Sequence, residues 1–327
     1  MKPIPLIGHE TWLKRIRTRT VRGRAAYYAM YSSYADGIVT DPALMMVPVD
    51  DHVVHRGDGV FETLKCVAGG IYNLRGHLER LLRSAEGIRL RTPCNLDELE
   101  RIIVATAKAG GRPDAQIRVL LTRGPGSLGV NPNDCAEPQL YVVIGEPVRP
   151  FMEQRPQGAR IGLSRLLPKP PPFAALKTCN YLPNALMAAE GTEQGYDFMV
   201  GLAPDDYILE GPTENILAIT HDKRLVSPDA PDVLPGTTLD RIITLLDPLM
   251  LEGALNRIER RRIARAELMG AREVWICGTS HDLVAVTRVE ETAVGDGTPG
   301  SLYTQLAPLL ADDIRSNDLL RTHFHEI

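Results

Sequence analysis

Lys177 sits in the stretch Leu176-Lys177-Thr178-Cys179-Asn180-Tyr181-Leu182-Pro183-Asn184, between a proline-rich approach and the predicted start of a helix. An amine held in a cleft at such a junction gives up its proton readily, because burial or a neighbouring cation disfavours the ammonium; the neutral amine is a nucleophile. The approach, Pro168-Lys169-Pro170-Pro171-Pro172-Phe173, is stiff, since each proline fixes φ and keeps the residue before it out of the α region. From Pro183 the pattern turns helical through Leu186, Met187 and Glu190, and Gly195 is its stop. Two small-residue hydroxyl turns suit a phosphate. Leu234-Pro235-Gly236-Thr237-Thr238 leads into a helix predicted from Leu239 to Leu251, and Gly278-Thr279-Ser280 ends a predicted strand from Glu273 to Cys277. Together with His77, Arg80 and Ser84, which can share one helical face, these turns and the lysine suggest a phosphorylated cofactor.

Two other patterns carry less. Gly124-Pro125-Gly126-Ser127-Leu128-Gly129 matches a dinucleotide fingerprint in form, but Val130-Asn131-Pro132-Asn133 cannot open the helix that the fingerprint requires. The stretch is read as a mobile loop. Asp50-Asp51-His52-Val53-Val54-His55 invites a metal-hydrolase reading, yet two histidines three apart on a predicted strand face opposite sides and chelate poorly, so no metal is expected.

The elements that must position these groups follow from periodicity. Short apolar runs (Tyr27 to Tyr34, Ile38-Val39, Leu44 to Val49, Val53-Val54, Val60 to Val67) read as strands joined by turns at Asp36-Gly37 and Gly69-Gly70. From Asn73, Leu74, Leu78, Leu81, Leu82, Ala85 and Ile88 recur at helical spacing. Asn95 with Glu98 forms a capping box opening a second helix that ends at Gly110-Gly111. Gln116 to Thr122 alternates as a strand with Arg118 on the face of Gln116 and Leu120, and Leu140 to Ile144 is another. Asp197 to Leu202, Tyr207 to Leu209 and Asn215 to Thr220 are short strands, and a helix from Ala264 to Gly270 precedes the strand at Glu273.

A length of 327 residues predicts about two domains. They are expected at 1–150, with a basic extension over 1–26, and at 158–327, joined by a proline-bearing linker over 146–157. A net charge of −4 gives no nucleic-acid footprint, and no apolar run approaches the roughly 18 residues that span a bilayer. Cys66, Cys94, Cys135, Cys179 and Cys277 are scattered and read as reduced thiols of a cytoplasmic chain. Met1 to Gly8 lacks the order of a secretory signal. The basic run Lys14, Arg15, Arg17, Arg19, Arg22 and Arg24 reads as a solvated or partner-facing segment, with a transit peptide or an anion-binding surface as alternatives.

Taken in chain order, Arg56-Gly57-Asp58-Gly59-Val60-Phe61-Glu62, His77-Leu78-Glu79-Arg80-Leu81 with Ser84-Ala85, Lys177 to Asn184, Glu210 to Asn215, Leu234 to Thr238 and Gly278-Thr279-Ser280 resemble the class IV, or fold type IV, pyridoxal-phosphate aminotransferases. The resemblance implies a two-domain α/β (α+β) fold with pyridoxal 5′-phosphate between the domains. It also implies a homodimer, because the family's loops complete each other's sites. It makes Lys177 the lysine that carries the cofactor and later moves a proton. Glu210 becomes the carboxylate at the pyridine nitrogen, whose protonation makes the ring an electron sink. Arg80 becomes the phosphate arginine, with Thr237, Thr238 and Thr279 completing that cradle and Thr213 beside it. Tyr181 stands at the phenolic oxygen.

The same resemblance implies ping-pong transfer between an amino acid and a 2-oxo acid such as 2-oxoglutarate or pyruvate. Lys-x-x-Asn-Tyr is one residue shorter than the spacing of many branched-chain enzymes, which leans toward the D-amino-acid transaminase and aminodeoxychorismate lyase branches. Gly129-Val130-Asn131-Pro132 looks like the branched-chain loop, so an L-branched-chain aminotransferase and the lyase remain alternatives. Arg56 and Arg118 are the expected holders of the substrate carboxylate, with Arg123 a third candidate, Phe61 lining the side-chain pocket and Ser280 beside it.

Overall fold

Two sheets organise the protein. The computed structural model describes residues 3–19, 21–166 and 169–324. In the first part of the chain, helix α1 (His9–Thr18) precedes strands β1 (Tyr27–Ser32) and β2 (Gly37–Val39), then a short helix α2 (His52–Arg56), β3 (Gly59–Val67) and β4 (Gly70–Tyr72). Helices α3 (Leu74–Gly87) and α4 (Leu96–Gly110) follow, then β5 (Ala115–Thr122) and β6 (Gln139–Gly145). Strands β3 and β5 run antiparallel in register, Phe61 opposite Leu120, Thr63 opposite Arg118 and Lys65 opposite Gln116. One face of β3 sends Val60, Leu64 and Cys66 into the core against α3 and α4, so the opposite face, with Phe61, Thr63 and Lys65, is turned to the rest of the protein.

The second part begins with α5 (Phe151–Gln154) and continues with β7 (Ala159–Ser164), α6 (Leu182–Gln194), β8 (Phe198–Gly201), β9 (Tyr207–Ile208), β10 (Asn215–Ile219) and β11 (Arg224–Ser227). It goes on through α7 (Thr237–Leu245), α8 (Asp247–Leu251), β12 (Arg257–Arg260), β13 (Ile263–Ala264), α9 (Arg265–Met269), β14 (Glu273–Gly278), β15 (Asp282–Val289) and β16 (Thr292–Ala293). Helix α10 (Ser301–Ser316) and β17 (Arg321–His323) close the described chain. The second sheet has the order β12-β11-β10-β14-β15-β7-β8, with β16 on β15. One apolar cluster lies on each face of it. No helix of the described residues is long and apolar enough to cross a membrane.

Several expectations change. Val53-Val54 belongs to helix α2, not a strand: Asp51 caps it by accepting from the Val53 N–H, and Gly57 ends it at φ 64°. His52 and His55 therefore do not face opposite sides of a strand; their rings meet edge to face at 5.1 Å. Pro42–Leu44 is a single 3-10 turn, and the chain from Met45 to Val49, which contains Pro48, forms no strand. The helix expected over Leu239 to Leu251 is two helices, because Pro248 enters the first turn of α8. The expected linker contains α5, whose Phe151 packs edge to face on Phe198 of β8. The domain expected at 158–327 loses its far end: β17 pairs with β4 and closes the exposed edge of the first sheet. Pro168 of the proline approach and Met1 and Lys2 of the extension lie outside the described residues.

Candidate active site

Lys177 is held by its backbone on both sides. Phe61 N–H donates to the Lys177 carbonyl (2.9 Å) and Cys179 N–H to the Gly59 carbonyl (2.8 Å), so residues 177–179 run antiparallel along the open half of β3. The Lys177 N–H donates to Ser84 Oγ on α3 (3.1 Å). Lys169, a second buried lysine, donates from Nζ to the Leu176 carbonyl (2.8 Å) and to Thr178 Oγ1 (3.2 Å), which clamps the residues on either side of Lys177. The Lys177 amine itself is buried and has aromatic neighbours, 4.7 Å from the Phe61 ring centroid and 5.9 Å from that of Tyr181. Burial, with the Arg80 guanidinium second, brings its pKa down to about 8.

Glu210 faces the same site from the loop that leads into β10. It accepts from the Leu234 N–H (3.0 Å) and Asn215 Nδ2 (3.3 Å). Burial pushes its carboxyl up to about 8 against the pull of the Leu234 N–H and Lys177. Tyr181 meets Phe61 edge to face at 5.0 Å, and burial, then the Glu210 charge, raises its phenol. Arg118 leans over the Phe61 ring, its guanidinium 5.0 Å from the ring centroid. Burial lowers its pKa, and among the described residues it has neither a hydrogen bond nor an ion pair.

Arg80 is fixed by Glu62, which is fully buried on the core-facing side of β3. Nε donates to Glu62 Oε1 (2.7 Å), Nη2 to Oε2 (2.9 Å), and Nη1 to the Pro235 carbonyl (2.9 Å). Burial pushes Glu62 up, but Arg80 and His77 more than reverse it and hold the carboxylate far below its usual range. His77 places Nδ1 2.7 Å from Glu62 Oε2 and Nε2 3.3 Å from Thr237 Oγ1. Thr237, Thr238, Thr279 and His77 line one small cavity.

The remaining predicted residues are distributed differently. Thr213 bonds the buried Glu214 through its hydroxyl and its N–H. Ser280 Oγ accepts from Gln116 Nε2 (3.3 Å) across the two sheets. Arg56 turns to the loop after β5, donating from Nε to the Gly129 carbonyl (2.9 Å) and from Nη2 to the Leu128 carbonyl (2.6 Å). Arg123 forks onto Asp58 (2.9 and 3.1 Å) and donates to the Ile88 and Arg89 carbonyls, which makes it a structural ion pair. Glu62, Gln116 and Lys169 were not singled out from sequence. A signal for Glu62 exists: it is the charged residue in the apolar phase of Val60, Leu64 and Cys66.

The residues present fit a phosphorylated pyridine cofactor. The first turn of α7 offers N–H groups with no partner inside the helix, next to an arginine that keeps donors free. Gly236, its N-cap, is pressed so close to Asn215 that an added Cβ would overlap the Asn215 Oδ1. The Glu210 carboxyl, whose pKa burial raises, and the desolvated Lys177 amine stand within each other's field. The model of the family described as amino-transferase class IV matches residues 59–289. A D-amino-acid transaminase, chloroplastic, of Arabidopsis thaliana is 35% identical over 301 residues, 92% of this chain and 80% of that protein. The branched-chain-amino-acid aminotransferase of Escherichia coli K12 is 29% identical, over 80% of this chain and 85% of its own. The T.th. branched-chain amino acid aminotransferase with pyridoxamine 5′-phosphate superposes with a TM-score of 0.82 at 24% identity, covering 91% of this chain and 99% of that one. The expected two-domain fold type IV architecture is therefore borne out, and the chain belongs to the class IV aminotransferases, pyridoxal-phosphate-dependent transaminases.

Proposed function

We propose that the protein exchanges an amino group between a D-amino acid and a 2-oxo acid such as pyruvate or 2-oxoglutarate by a ping-pong cycle. The observation that carries this reading is Arg118, a half-buried guanidinium that among the described residues has no anionic partner and shares the Phe61 ring with the Lys177 amine. Such a group suits a substrate carboxylate. The 35% identity to a D-amino-acid transaminase supports the choice of donor.

Arg80, Thr237, Thr238 and Thr279 would hold the phosphate of pyridoxal 5′-phosphate, Glu210 its ring nitrogen, and Tyr181 the side of its phenolic oxygen, with Thr213 fixing Glu214 beneath. When bound, the cofactor supplies the electron sink that lets a proton leave the substrate Cα. Lys177 Nζ, neutral above about pH 8 in the cofactor-free site, is the base that takes and returns that proton. Arg118 orients the carboxylate, and Phe61 with Tyr181 walls off water. Arg56 acts at the rim by holding the loop at Leu128 and Gly129, and Ser280 with Gln116 closes the opposite edge.

A homodimer is supported by that loop, where Leu128 and Val130 are 68% and 77% exposed, an apolar display suited to a second copy. Five free cysteines suit the reducing cytoplasm. The branched-chain alternative rests on Gly129-Val130-Asn131-Pro132, and the lyase alternative on likeness to the 4-amino-4-deoxychorismate lyase of Pseudomonas aeruginosa, TM-score 0.73 at 25% identity.

The test is a half-reaction. Purified enzyme is mixed separately with D-alanine, D-glutamate, L-leucine and L-glutamate, and the cofactor's absorbance is followed to its pyridoxamine form. Conversion by D-amino acids alone is expected. Conversion by L-leucine would move the enzyme to the branched-chain group. Silence with all four, with pyruvate released from aminodeoxychorismate, would make it the lyase.

A further inference from the structure

We propose that Glu62 and His77 are positioning residues of the phosphate cradle, Glu62 aiming Arg80 and His77 carrying the same alignment across the seam to Thr237. This rests on the reading of Arg80 and the first turn of α7 as the phosphate site. Glu62 is wholly buried, and its two oxygens hold two side chains: Oε1 accepts from Arg80 Nε, and Oε2 accepts from Arg80 Nη2 and His77 Nδ1, at 2.7, 2.9 and 2.7 Å, with the Thr63 N–H also donating to Oε2 at 3.3 Å.

The orientation follows from donor counting. A guanidinium has five N–H groups in one plane. Glu62 takes the two on the Nε–Nη2 edge and the Pro235 carbonyl takes one on Nη1, which leaves one on each terminal nitrogen. Donors left on both terminal nitrogens suit the oxygens of a phosphate. Rotation about the long arginine side chain would otherwise scatter them, and the two-point grip of Glu62 removes that freedom. His77, with Nδ1–H given to the carboxylate, presents its Nε2 lone pair to the Thr237 hydroxyl at 3.3 Å. Thr237 is the first residue of α7, so anchoring its side chain fixes the direction in which the N–H groups of that turn point. Strand β3, helix α3 and helix α7 thus meet in one hydrogen-bonded chain, and a phosphate monoester is gripped by both halves of the molecule at once.

The effect is confined to the phosphate, which separates it from a general role in folding. Full-length protein stripped of cofactor is titrated with pyridoxal 5′-phosphate and, in parallel, with pyridoxal, which lacks the phosphate. Glu62→Gln is expected to weaken pyridoxal 5′-phosphate about 10- to 100-fold, the range found when supporting residues of a binding shell are removed, and to change pyridoxal less than about threefold. His77→Asn keeps the Glu62–Arg80 pair and is expected to cost pyridoxal 5′-phosphate several-fold with pyridoxal unchanged; it decides the matter if Glu62→Gln does not fold. Equal losses for both ligands, or no loss for either, would overturn the proposal. Arg80→Lys is the reference. If it lowers the ratio of the two affinities while the Glu62 and His77 variants do not, the positioning role fails alone. If Arg80→Lys also leaves the ratio unchanged, the cradle itself has been misread.

Discussion

Lys177 and Arg118 address one aromatic ring: the ammonium lies 4.7 Å and the guanidinium 5.0 Å from the Phe61 centroid. Both cations are thus held close to one ring of β3, so a substrate whose amine meets Lys177 has its carboxylate near Arg118. Replacing Arg118 with Gln removes a charge-assisted contact worth on the order of 2 kcal/mol or more, roughly thirtyfold in affinity. The expected outcome is a KM for the amino donor raised by at least about tenfold with the cofactor's spectrum unchanged. A normal KM would assign the carboxylate to another residue.

The pH behaviour of the cofactor-free protein follows from two buried groups. Lys177 ionises near 8 instead of the ordinary lysine value of 10.5, so its modification by an amine reagent, followed by mass spectrometry, should rise through about pH 8 and level off while surface lysines are still protonated. Glu210 has the opposite sense. Its carboxyl is protonated in the folded state up to about 8 but ionises near 4.5 when unfolded, so its contribution to stability is complete below about 4.5 and lost as pH rises through about 8. Thermal unfolding of apo Glu210→Gln should therefore gain on wild type between pH 5 and 9, by a few degrees in order of magnitude. A gap that does not move with pH would show that Glu210 is ionised in the empty site.

Much of the site was legible because it is built from local signals. The Asn95–Glu98 capping box is present in the structure, α3 carries His77, Arg80 and Ser84 on its buried side, and α6 begins and stops at its proline and glycine signals. What sequence hid is pairing across distance. Glu62 and His77 are 15 positions apart and Lys169 grips a segment seven and nine positions on, and nothing in local periodicity announces either contact. Helix α2 was misread because Val53 and Val54 favour strands, whereas the Asp51 cap and the Gly57 stop outweigh propensity over five residues. The strand β15 went unread, and it is the one whose Asp282 pairs with Lys65 of the first sheet.

Arg56 is a loop clamp, through the carbonyls of Leu128 and Gly129. His52 holds the same loop at the Ser127 carbonyl (3.1 Å). Arg56→Ala should free residues 127–131, seen as faster hydrogen exchange and earlier proteolysis there, and raise the substrate KM several-fold with cofactor affinity intact. Loss of cofactor would place Arg56 in the phosphate site and undo its separation from Arg80. An unchanged exchange rate would mean that His52 alone secures the loop.

Gly236 ties the first turn of α7 to Glu210 through Asn215. An added Cβ would overlap Asn215 Oδ1, and the Asn215 amide donates to both the Leu234 carbonyl (2.9 Å) and Glu210 (3.3 Å). Overpacking of this kind costs about 1–3 kcal/mol, but the displaced amide is also a support of Glu210, so Gly236→Ala should lose cofactor faster than its drop in stability accounts for. Gly111→Ala is the comparison. It sits at φ 64° with nothing within 4 Å of an added Cβ, so its cost is the left-handed backbone alone, about 1 kcal/mol, and it should leave cofactor release unchanged. If the two variants matched to equal melting temperature released cofactor at equal rates, the link from Gly236 through Asn215 to Glu210 would carry no functional weight.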